Sequence, residues 1–389
     1  MNVAKPSNCA LRRHERLRVI APLSALSRRT RLFKLAKFVR ATKGLDITLL
    51  GWERRLGEGK ETYLDFDVPK EYVLKGGGYG GASVRARYVL WMFRIFFRSL
   101  KYRRGDLVWA LGFESAFPAL LAGRVRGFDV IFDDADRFSL LFPLPKVIKG
   151  IVASLERWTS RRVAVHVIPG VERYDFESSR FYLLRNMPSE VEIETARMLY
   201  QQRTWPKAAL MININGWLGS GRGMSVALAL SKRLQGADVG FLMAGKLDCD
   251  EAKELAKRPQ VHYLGEVSNA EALSTYYASD YVFTYYKPDS VINRFAESNK
   301  WGDAFKTGVG IIVNKEVATA AYVVNGGAAI SVEYDDLDGL VAAIEMALHD
   351  KSLVLGHKAA SSELGTKYGY YESQLKQLFR KLEVGHGVG

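Results

Sequence analysis

Short apolar runs and longer amphipathic stretches alternate along the first half of the chain. Runs rich in Val, Ile and Leu, typical of buried strands, occupy residues 17–23, 45–51, 106–110, 129–132 and 163–168. Between them, apolar positions recur every three or four residues over 28–43, 84–102, 115–124 and 147–162, which indicates helices. This alternation predicts a doubly wound parallel sheet.

The second half repeats the same rhythm after Pro188. Strands are predicted at residues 209–214, 239–244, 261–264, 281–285 and 310–314, and helices at 223–234, 249–257, 269–278 and 298–306. A chain of 389 residues exceeds what one core normally supports. We therefore expect an α/β protein of two Rossmann-like domains facing across a cleft. They comprise residues 1–187 and 188–370, with an amphipathic C-terminal segment, 371–389, crossing back to the first domain.

Positive charge is concentrated in the first half. The net charge is +14, yet residues 1–190 carry 35 basic and 19 acidic side chains, whereas residues 191–389 carry 21 and 23. An excess of this kind indicates an anionic partner for the first half, namely nucleic acid, anionic lipid or a phosphorylated acceptor.

Two predicted helices of the first half are both basic and amphipathic. The first carries Arg31, Lys34, Lys37 and Arg40 opposite an apolar face. On the second, a narrow basic stripe runs between aromatic and aliphatic side chains and consists of Arg87, Arg94, Arg98 and Lys101. Such helices suit a lipid head-group layer. The alternatives are a solvated charged face for the first helix and a buried core helix for the second.

Several classes of protein and site find no support in the sequence. The two cysteines, Cys9 and Cys249, are too far apart to suggest a disulfide framework or a metal motif, and the six histidines lack ligand spacing. No apolar run approaches the roughly 20 residues that span a bilayer, and residues 1–18 lack the apolar core of a signal peptide. We expect a cytoplasmic protein whose membrane contact is peripheral.

A glycine-rich segment, NGWLGSGRG, follows the first predicted strand of the second half. Gly216, Gly221 and Gly223 permit close approach of the backbone to a diphosphate, and Arg222 adds a positive charge before the next helix. Taken alone, the segment is better explained as a flexible strand-to-helix turn, because glycine-rich loops are common.

Residues 285–314, YYKPDSVINRFAESNKWGDAFKTGVGIIVN, make a more specific pattern. The segment resembles glycosyltransferase family 4, a large GT-B family, in which P-x-x-x-x-N-R-x-A-S-P-N-K-x-x-E-A-M-x-x-G occurs. The resemblance implies a nucleotide-sugar donor without a metal cofactor. It places Lys300 at the donor phosphate, Asp303 at the ribose, and Asn299 beside them. Arg222 matches the family's phosphate-binding basic residue in the glycine-rich segment.

Three departures from this pattern affect the expected mechanism. The first Glu of the family's pair falls on Phe295 and the second is shortened to Asp303, which leaves open whether the sugar configuration is retained or inverted. Trp217 stands where many relatives have a second phosphate-binding Arg.

The acidic segment FDDADRFS, residues 132–139, follows a predicted strand of the first half. It is similar to Y-D-A-H-D-x-Y-S in family relatives and to a segment of the xanthan glucuronosyltransferase, and this resemblance places Asp136 on a catalytic base. Two alternatives remain: Asp133, Asp134 and Asp136 cap the following helix, or Asp134 and Asp136 form a metal-binding DxD motif of the GT-A type.

These patterns together predict a glycosyltransferase that takes a lipid-linked acceptor at the cytoplasmic face of the inner membrane, in surface polysaccharide or glycoconjugate assembly. One rival is a catalytically weakened homologue acting as a partner subunit, suggested by Phe295 and by Ala135 in place of the family's His. A basic nucleic-acid-binding protein is the other rival, although no known nucleic-acid-binding module is visible.

Overall fold

The chain forms two compact α/β units. The structure, a computed structural model, describes residues 14–55, 57–58, 68–79, 82–134, 136–141 and 145–385; Cys9 and Ala135 lie outside them. Unit 1 comprises Met1–Pro169, Tyr174–Leu184 and Glu372–Gly389, and unit 2 comprises Gly170–Arg173 and Arg185–Tyr371. Unit 2 thus begins three residues before the boundary predicted from Pro188, and it includes a short segment from the first half.

Unit 1 contains a seven-stranded parallel sheet in the order β3-β2-β1-β4-β5-β6-β7. Its strands are β1 Arg16–Ile20, β2 Asp46–Glu53, β3 Lys70–Lys75, β4 Asp106–Leu111, β5 Asp129–Asp133, β6 Val165–Ile168 and β7 Phe181–Leu183. The central strand β4 is buried at every position, as its apolar run predicts. β3 was not predicted, because an edge strand with charged ends, KEYVLK, lacks a continuous apolar run.

The helices of unit 1 connect these strands. They are α1 Thr30–Lys43, α2 Ala82–Ser99, α3 Phe113–Arg126, α4 Phe138–Leu141 and α5 Lys146–Ser160. The last helix of the chain, α15 Tyr371–Gly385, belongs to unit 1 from Glu372 onward. It packs on α1, with the rings of Phe38 and Phe379 6.0 Å apart and Lys43 in an ion pair with Glu383.

Unit 2 contains a six-stranded parallel sheet in the order β10-β9-β8-β11-β12-β13. Its strands are β8 Leu210–Leu218, β9 Val239–Leu247, β10 Val261–Tyr263, β11 Tyr281–Phe283, β12 Gly310–Asn314 and β13 Ala329–Val332. The predicted ends of β8 and β9, at 214 and 244, are wrong: the two strands stay paired as far as Leu218 and Leu247. The extensions, NGWL and GKL, begin with a polar residue or a glycine, so the apolar run does not continue into them.

Nine helices of unit 2 lie within the described residues. They are α6 Glu190–Gln201, α7 Met224–Arg233, α8 Asp250–Leu255, α9 Asn269–Ser274, α10 Val291–Arg294, α11 Asn299–Thr307, α12 Ala321–Asn325, α13 Leu337–His349 and α14 Lys351–Tyr368. Across the described part of both units, no helix is long and apolar enough to cross a bilayer.

Candidate functional site

The predicted donor-binding segments lie at one edge of the unit 2 sheet. The chain continues from β8 to β9 on one side, whereas β11 flanks β8 on the other, so the strand order reverses between β8 and β11. Open parallel sheets bind ligands beyond the carboxyl ends of strands at such a point. The end of β8, the segment that follows it and the first five residues of α11 together hold Gly216, Gly221, Arg222, Gly223, Asn299, Lys300 and Asp303.

Gly216 lies within β8 and pairs with Gly245 of β9. Their φ angles are +98° and +126°, in the region that side chains disfavour. A Cβ atom at Gly245 would overlap the carbonyl oxygen of Gly216, so only glycine permits this approach of the two strands. A Cβ atom at Gly216 would lie 3.7 Å from Cε of Lys300, which places the lysine chain directly over the Gly216 backbone.

Arg222 ends a short 3-10 turn, Ser220–Arg222, that includes Gly221. Gly223 then adopts a left-handed conformation, with φ of +69°, and α7 begins after it. The Arg222 guanidinium lies 4.6 Å from the ring centroid of Tyr286 and 5.6 Å from that of Trp217. Aromatic faces hold a guanidinium by cation–π attraction while its N–H groups stay open to another acceptor.

Trp217 itself is fixed by a polar contact. Its indole N–H donates to Oδ2 of Asp248 over 2.6 Å, while 51% of the residue's surface remains exposed. The side chain that replaces the family's second arginine thus forms part of the surface beside Arg222.

Lys300 is the second residue of α11, and the first, Asn299, is exposed. Burial, and after it the positive charge of Arg222, lower the pKa of the Lys300 ammonium to about 8, while Asp303 opposes the shift. Within the described residues, neither Lys300 nor Arg222 is in ion-pair contact with an acid. Two neighbouring cations without such a partner have the electrostatics of an anion site.

Backbone donors are available at the same edge. The helices α7 and α11 both begin without a side-chain cap, so their first N–H groups lack that partner. Helix N-termini favour phosphate through these N–H groups and the helix dipole. With Arg222 and Lys300, the arrangement can hold the two phosphates of a nucleoside diphosphate.

The segment that leads into α11 is fixed by an ion pair that sequence reasoning missed. Arg185 donates to both carboxylate oxygens of Glu297, each over 3.1 Å, and its guanidinium lies 3.7 Å from the ring centroid of Tyr322. Burial raises the pKa of the Glu297 carboxyl to about 7, although Arg185 opposes the shift. Because the partners are 112 residues apart, no local pattern could have revealed the pair.

The acidic residues after β5 in unit 1 differ in their surroundings. Asp133 is wholly buried, accepts a hydrogen bond from the indole of Trp109 over 2.9 Å, and pairs with Arg31 at 3.1 Å. Asp134 is also buried and accepts from the hydroxyl of Tyr174 over 2.8 Å. The capping alternative is therefore wrong for Asp133 and Asp134, because their carboxylates are bonded to residues outside the following helix.

Asp136 is the most exposed of the three acids. Its side chain is 34% exposed, and Oδ2 lies 3.6 Å from the guanidinium of Arg29. A partly solvated carboxylate can accept a proton from a hydroxyl group. Within the described residues, no cluster of three or more His, Cys, Asp or Glu side chains has the geometry of a metal site.

Glu156 of α5 fixes the residues just after Asp136, and sequence reasoning missed it. Its carboxylate accepts hydrogen bonds from the backbone N–H of Ser139 over 2.8 Å, from the Ser139 hydroxyl over 2.6 Å, and from Arg137 over 3.3 Å. The buried acid therefore caps α4.

The two basic helices do not present all their charges to solvent. The expectation that Arg31 lies on a solvent-facing basic surface is wrong: its side chain is 13% exposed, because it is drawn to the buried carboxylate of Asp133. On α2, Arg87 and Arg94 donate to the carbonyl oxygens of Lys75 and Val73 on β3.

Lys34 is half-buried, whereas Lys37 and Lys101 are exposed. Arg98 of α2 forms an ion pair with Glu71 of β3. The basic stripe of α2 thus covers the edge strand of the sheet. The exposed face of α2 is instead apolar and includes Val89, Phe93 and Phe97.

Comparison with known proteins adds one partial sequence relative. No family model matches the chain. It is 29% identical over 172 residues to a phosphatidyl-myo-inositol mannosyltransferase of Mycolicibacterium smegmatis (strain ATCC 700084 / mc(2)155). The match covers 43% of this chain and 43% of that protein, so the chain matches less than half of the relative's length.

Solved structures match over almost the whole chain. Sucrose-phosphate synthase from Thermosynechococcus elongatus superimposes with a TM-score of 0.67 at 12% identity, covering 96% of this chain and 100% of that one. A trehalose-6-phosphate structure from E. coli with bound UDP-2-fluoro glucose gives 0.65 at 11% identity, covering 95% and 99%. Together with the two parallel-sheet units, these matches confirm the predicted fold class: the chain has the fold of the GT-B glycosyltransferases.

Proposed function

We propose that the chain is a glycosyltransferase that moves a sugar from a nucleoside-diphosphate donor bound by unit 2 to a lipid-linked acceptor bound by unit 1. One observation carries the proposal: Arg222 and Lys300 are neighbours at the strand-order reversal of unit 2, and neither has an acid in ion-pair contact among the described residues. Lys300 also lies over the backbone of Gly216. The UDP-sugar bound by the E. coli relative supports the donor class.

In this proposal the diphosphate is both the anchor and the leaving group. When the bond between the sugar and its phosphate breaks, negative charge develops on the nucleoside diphosphate. Arg222, Lys300 and the N–H groups at the start of α7 and α11 stabilise that charge, and no metal ion is needed for it. Asn299 and Asp303 flank Lys300 and contribute the contacts to the donor's ribose and sugar.

Asp136 is the proposed base in unit 1. Its carboxylate takes the proton of the acceptor hydroxyl, whose oxygen then forms the new bond to the sugar carbon. The partial exposure of Asp136 and the 3.6 Å distance between its carboxylate and the guanidinium of Arg29 support this role. By contrast, Asp133 and Asp134 are buried and hydrogen-bonded, which removes them as candidates.

Two helices of unit 1 support a membrane-associated acceptor. On α2, Val89, Phe93 and Phe97 are 55%, 61% and 64% exposed, and on α5, Val147 and Ile151 are 74% and 56% exposed. Lys146 and Lys149 flank the exposed apolar residues of α5. Exposed apolar residues beside basic ones suit the interface of an anionic membrane. The phosphatidyl-myo-inositol in the relative's name agrees with a lipid acceptor, and we place the protein at the cytoplasmic face of the inner membrane, in surface glycoconjugate assembly.

Release of the nucleoside diphosphate tests the function directly. The full chain is incubated with UDP-, GDP-, ADP- and dTDP-sugars, with and without membrane lipid extract, and the released diphosphate is measured. The proposal predicts release from one class of donor, faster when lipid is present. Tight donor binding without any release would favour the catalytically weakened homologue instead.

A further inference from the structure

Two buried polar groups flank the end of β1 in unit 1, and the proposed function uses neither of them. Arg54 follows β2 and Glu114 follows β4, and these two strands are the neighbours of β1 on either side. Arg54 is 7% exposed and Glu114 is 6% exposed. The strand order of the unit 1 sheet reverses between β1 and β4, so both groups lie at the edge where open parallel sheets bind ligands.

Within the described residues, the hydrogen bonds of the buried Arg54 guanidinium all go to neutral groups. It donates to the carbonyl oxygens of Pro22 and Gly78 over 3.3 and 3.4 Å and to the hydroxyl of Tyr88 over 2.8 Å, and its guanidinium lies 4.1 Å from the ring centroid of Trp52. Within the described residues it has no acid in ion-pair contact. In the part of the chain that the structure describes, three of its five N–H groups have hydrogen-bond partners, which leaves two for another acceptor.

Glu114 is a buried acid whose Oε2 atom has no hydrogen-bond partner in the described part of the chain. Burial, together with the nearby charge of Asp134, raises the pKa of the Glu114 carboxyl to about 8, while Arg54 opposes the shift. The charge of Glu156 acts in the same direction as that of Asp134. At neutral pH the group therefore carries a proton and can donate a hydrogen bond.

A phosphate ester matches these two groups. The two remaining N–H groups of Arg54 can reach phosphate oxygens as a charge-assisted pair. A protonated Glu114 donates to a further oxygen, whereas an ionised carboxylate would repel the phosphate.

We propose that Arg54 and Glu114 form a subsite for the phosphate ester of the acceptor. That the ligand is the acceptor rests on the proposed function. That the ligand carries a phosphate does not, because it follows from the chemistry of Arg54 and Glu114.

Calorimetric titration of the full chain tests the subsite. The measurement uses the Arg222→Ala/Lys300→Ala variant, so that phosphate cannot bind at the donor segments, and glycerol 3-phosphate as the probe. Adding Arg54→Gln should weaken binding at least tenfold. The matched control is Arg55→Gln, which removes the same charge from the adjacent, exposed residue and should leave the affinity unchanged.

The same titration has outcomes that overturn the subsite. Equal affinity with and without Arg54→Gln contradicts it, as does an equal loss with Arg55→Gln, since general charge attraction would then explain the binding. If Arg54→Gln does not fold, Arg54→Lys replaces it, because lysine keeps the positive charge but lacks the paired N–H groups of the guanidinium. Unchanged affinity in that variant would also contradict the subsite. These titrations do not depend on donor binding. Failure of the glycosyltransferase proposal would instead appear in the assay of diphosphate release.

Two further experiments test the role of Glu114 and identify the source of the phosphate. With Glu114 intact, phosphate affinity should fall as the pH rises through about 8, and Glu114→Gln should abolish that fall; a fall that persists in the variant contradicts the role of Glu114. In the second experiment, binding to vesicles of phosphatidylcholine with phosphatidylinositol is measured in place of binding to glycerol 3-phosphate. An effect of Arg54→Gln on vesicle binding identifies a lipid phosphate, and an effect on glycerol 3-phosphate alone identifies a soluble phosphate ester.

Discussion

Arg222 lies close enough to Lys300 for its charge to add to the effect of burial on the lysine ammonium, whose pKa falls to about 8. The guanidinium of Arg222 lies against the rings of Tyr286 and Trp217, and the Lys300 side chain lies over the backbone of Gly216. A bound diphosphate would relieve their mutual repulsion, so the site is preorganised for an anion.

Donor binding should depend on pH through Lys300. Only the ammonium form attracts a diphosphate, so we expect affinity to be full below pH 8 and to fall as the pH rises through about 8. Calorimetry above pH 8, in buffers of different ionisation enthalpy, should also show proton uptake on binding. Lys300→Arg, which stays charged, should remove both effects; a pH-dependent fall that persists in this variant would assign the titration to another group.

Replacing the proposed base should separate turnover from donor binding. We expect Asp136→Asn to lower turnover by about 10²- to 10⁴-fold, the usual contribution of a positioned general base, with donor affinity unchanged. Asp46→Asn is a suitable control, because Asp46 is exposed at the amino end of β2. Buried Asp133 and Asp134 are unsuitable, since their loss would break internal contacts. Normal turnover of Asp136→Asn would leave the chain without its proposed base.

The close approach of β8 and β9 predicts a large cost at Gly245. Gly245→Ala should lower the free energy of unfolding by about 3 kcal/mol, because a methyl group overlaps the Gly216 carbonyl and the φ of +126° is disfavoured. Gly236→Ala has a similar φ of +93° and open space around the added atom, and should cost only about 1–2 kcal/mol. Urea unfolding measures both; equal costs would show that the contact with Gly216 adds nothing.

Membrane binding should depend on the apolar face of α2. We expect the double variant Phe93→Ser/Phe97→Ser to weaken binding to vesicles of phosphatidylcholine and phosphatidylglycerol on the order of 10- to 100-fold, because both rings are largely exposed. Val191→Ser/Met198→Ser removes two comparably exposed apolar residues from α6 of unit 2 and should have little effect. Vesicle sedimentation distinguishes these results, and equal losses would indicate non-specific adsorption.

If side chains neutralise the charge of the donor diphosphate, a chelator should not change the rate of transfer. If Arg222 and Lys300 stabilise the leaving diphosphate, transfer should proceed at an unchanged rate in excess EDTA. Restoration of a lost rate by added Mg²⁺ or Mn²⁺ would show instead that a divalent ion shares that role.

Most strands could be predicted because they are buried along their length and therefore appear in the sequence as continuous apolar runs. β12, Gly310–Asn314, agrees with its sequence-based bounds. The extension of β8 could not be predicted in this way, because Asn215, Gly216 and Trp217 break the apolar run, and the backbone continues only through close pairing with the glycine-containing end of β9.

Sequence could identify the acidic segment after β5 but not rank its members. Asp133 accepts a hydrogen bond from Trp109, 24 residues away in the sequence, and Asp134 accepts one from Tyr174, 40 residues away. Contacts at such separations leave no local pattern that would distinguish these two acids from Asp136. The basic stripe of α2 shows the same limit. Its spacing is correct for an amphipathic helix, yet the arginines reach β3, an edge strand that the pattern did not reveal.

The most direct test of the account is donor binding by the intact chain, measured by thermal shift and calorimetry with UDP-, GDP-, ADP- and dTDP-sugars. A donor that binds the folded state raises the unfolding midpoint in proportion to RT ln(1 + [L]/Kd). We expect one nucleotide class to stabilise the protein, and we expect Arg222→Ala and Lys300→Ala each to weaken its binding by roughly 10- to 100-fold while the variants remain folded. Unchanged affinity in both variants, or no stabilisation by any sugar nucleotide, would contradict it.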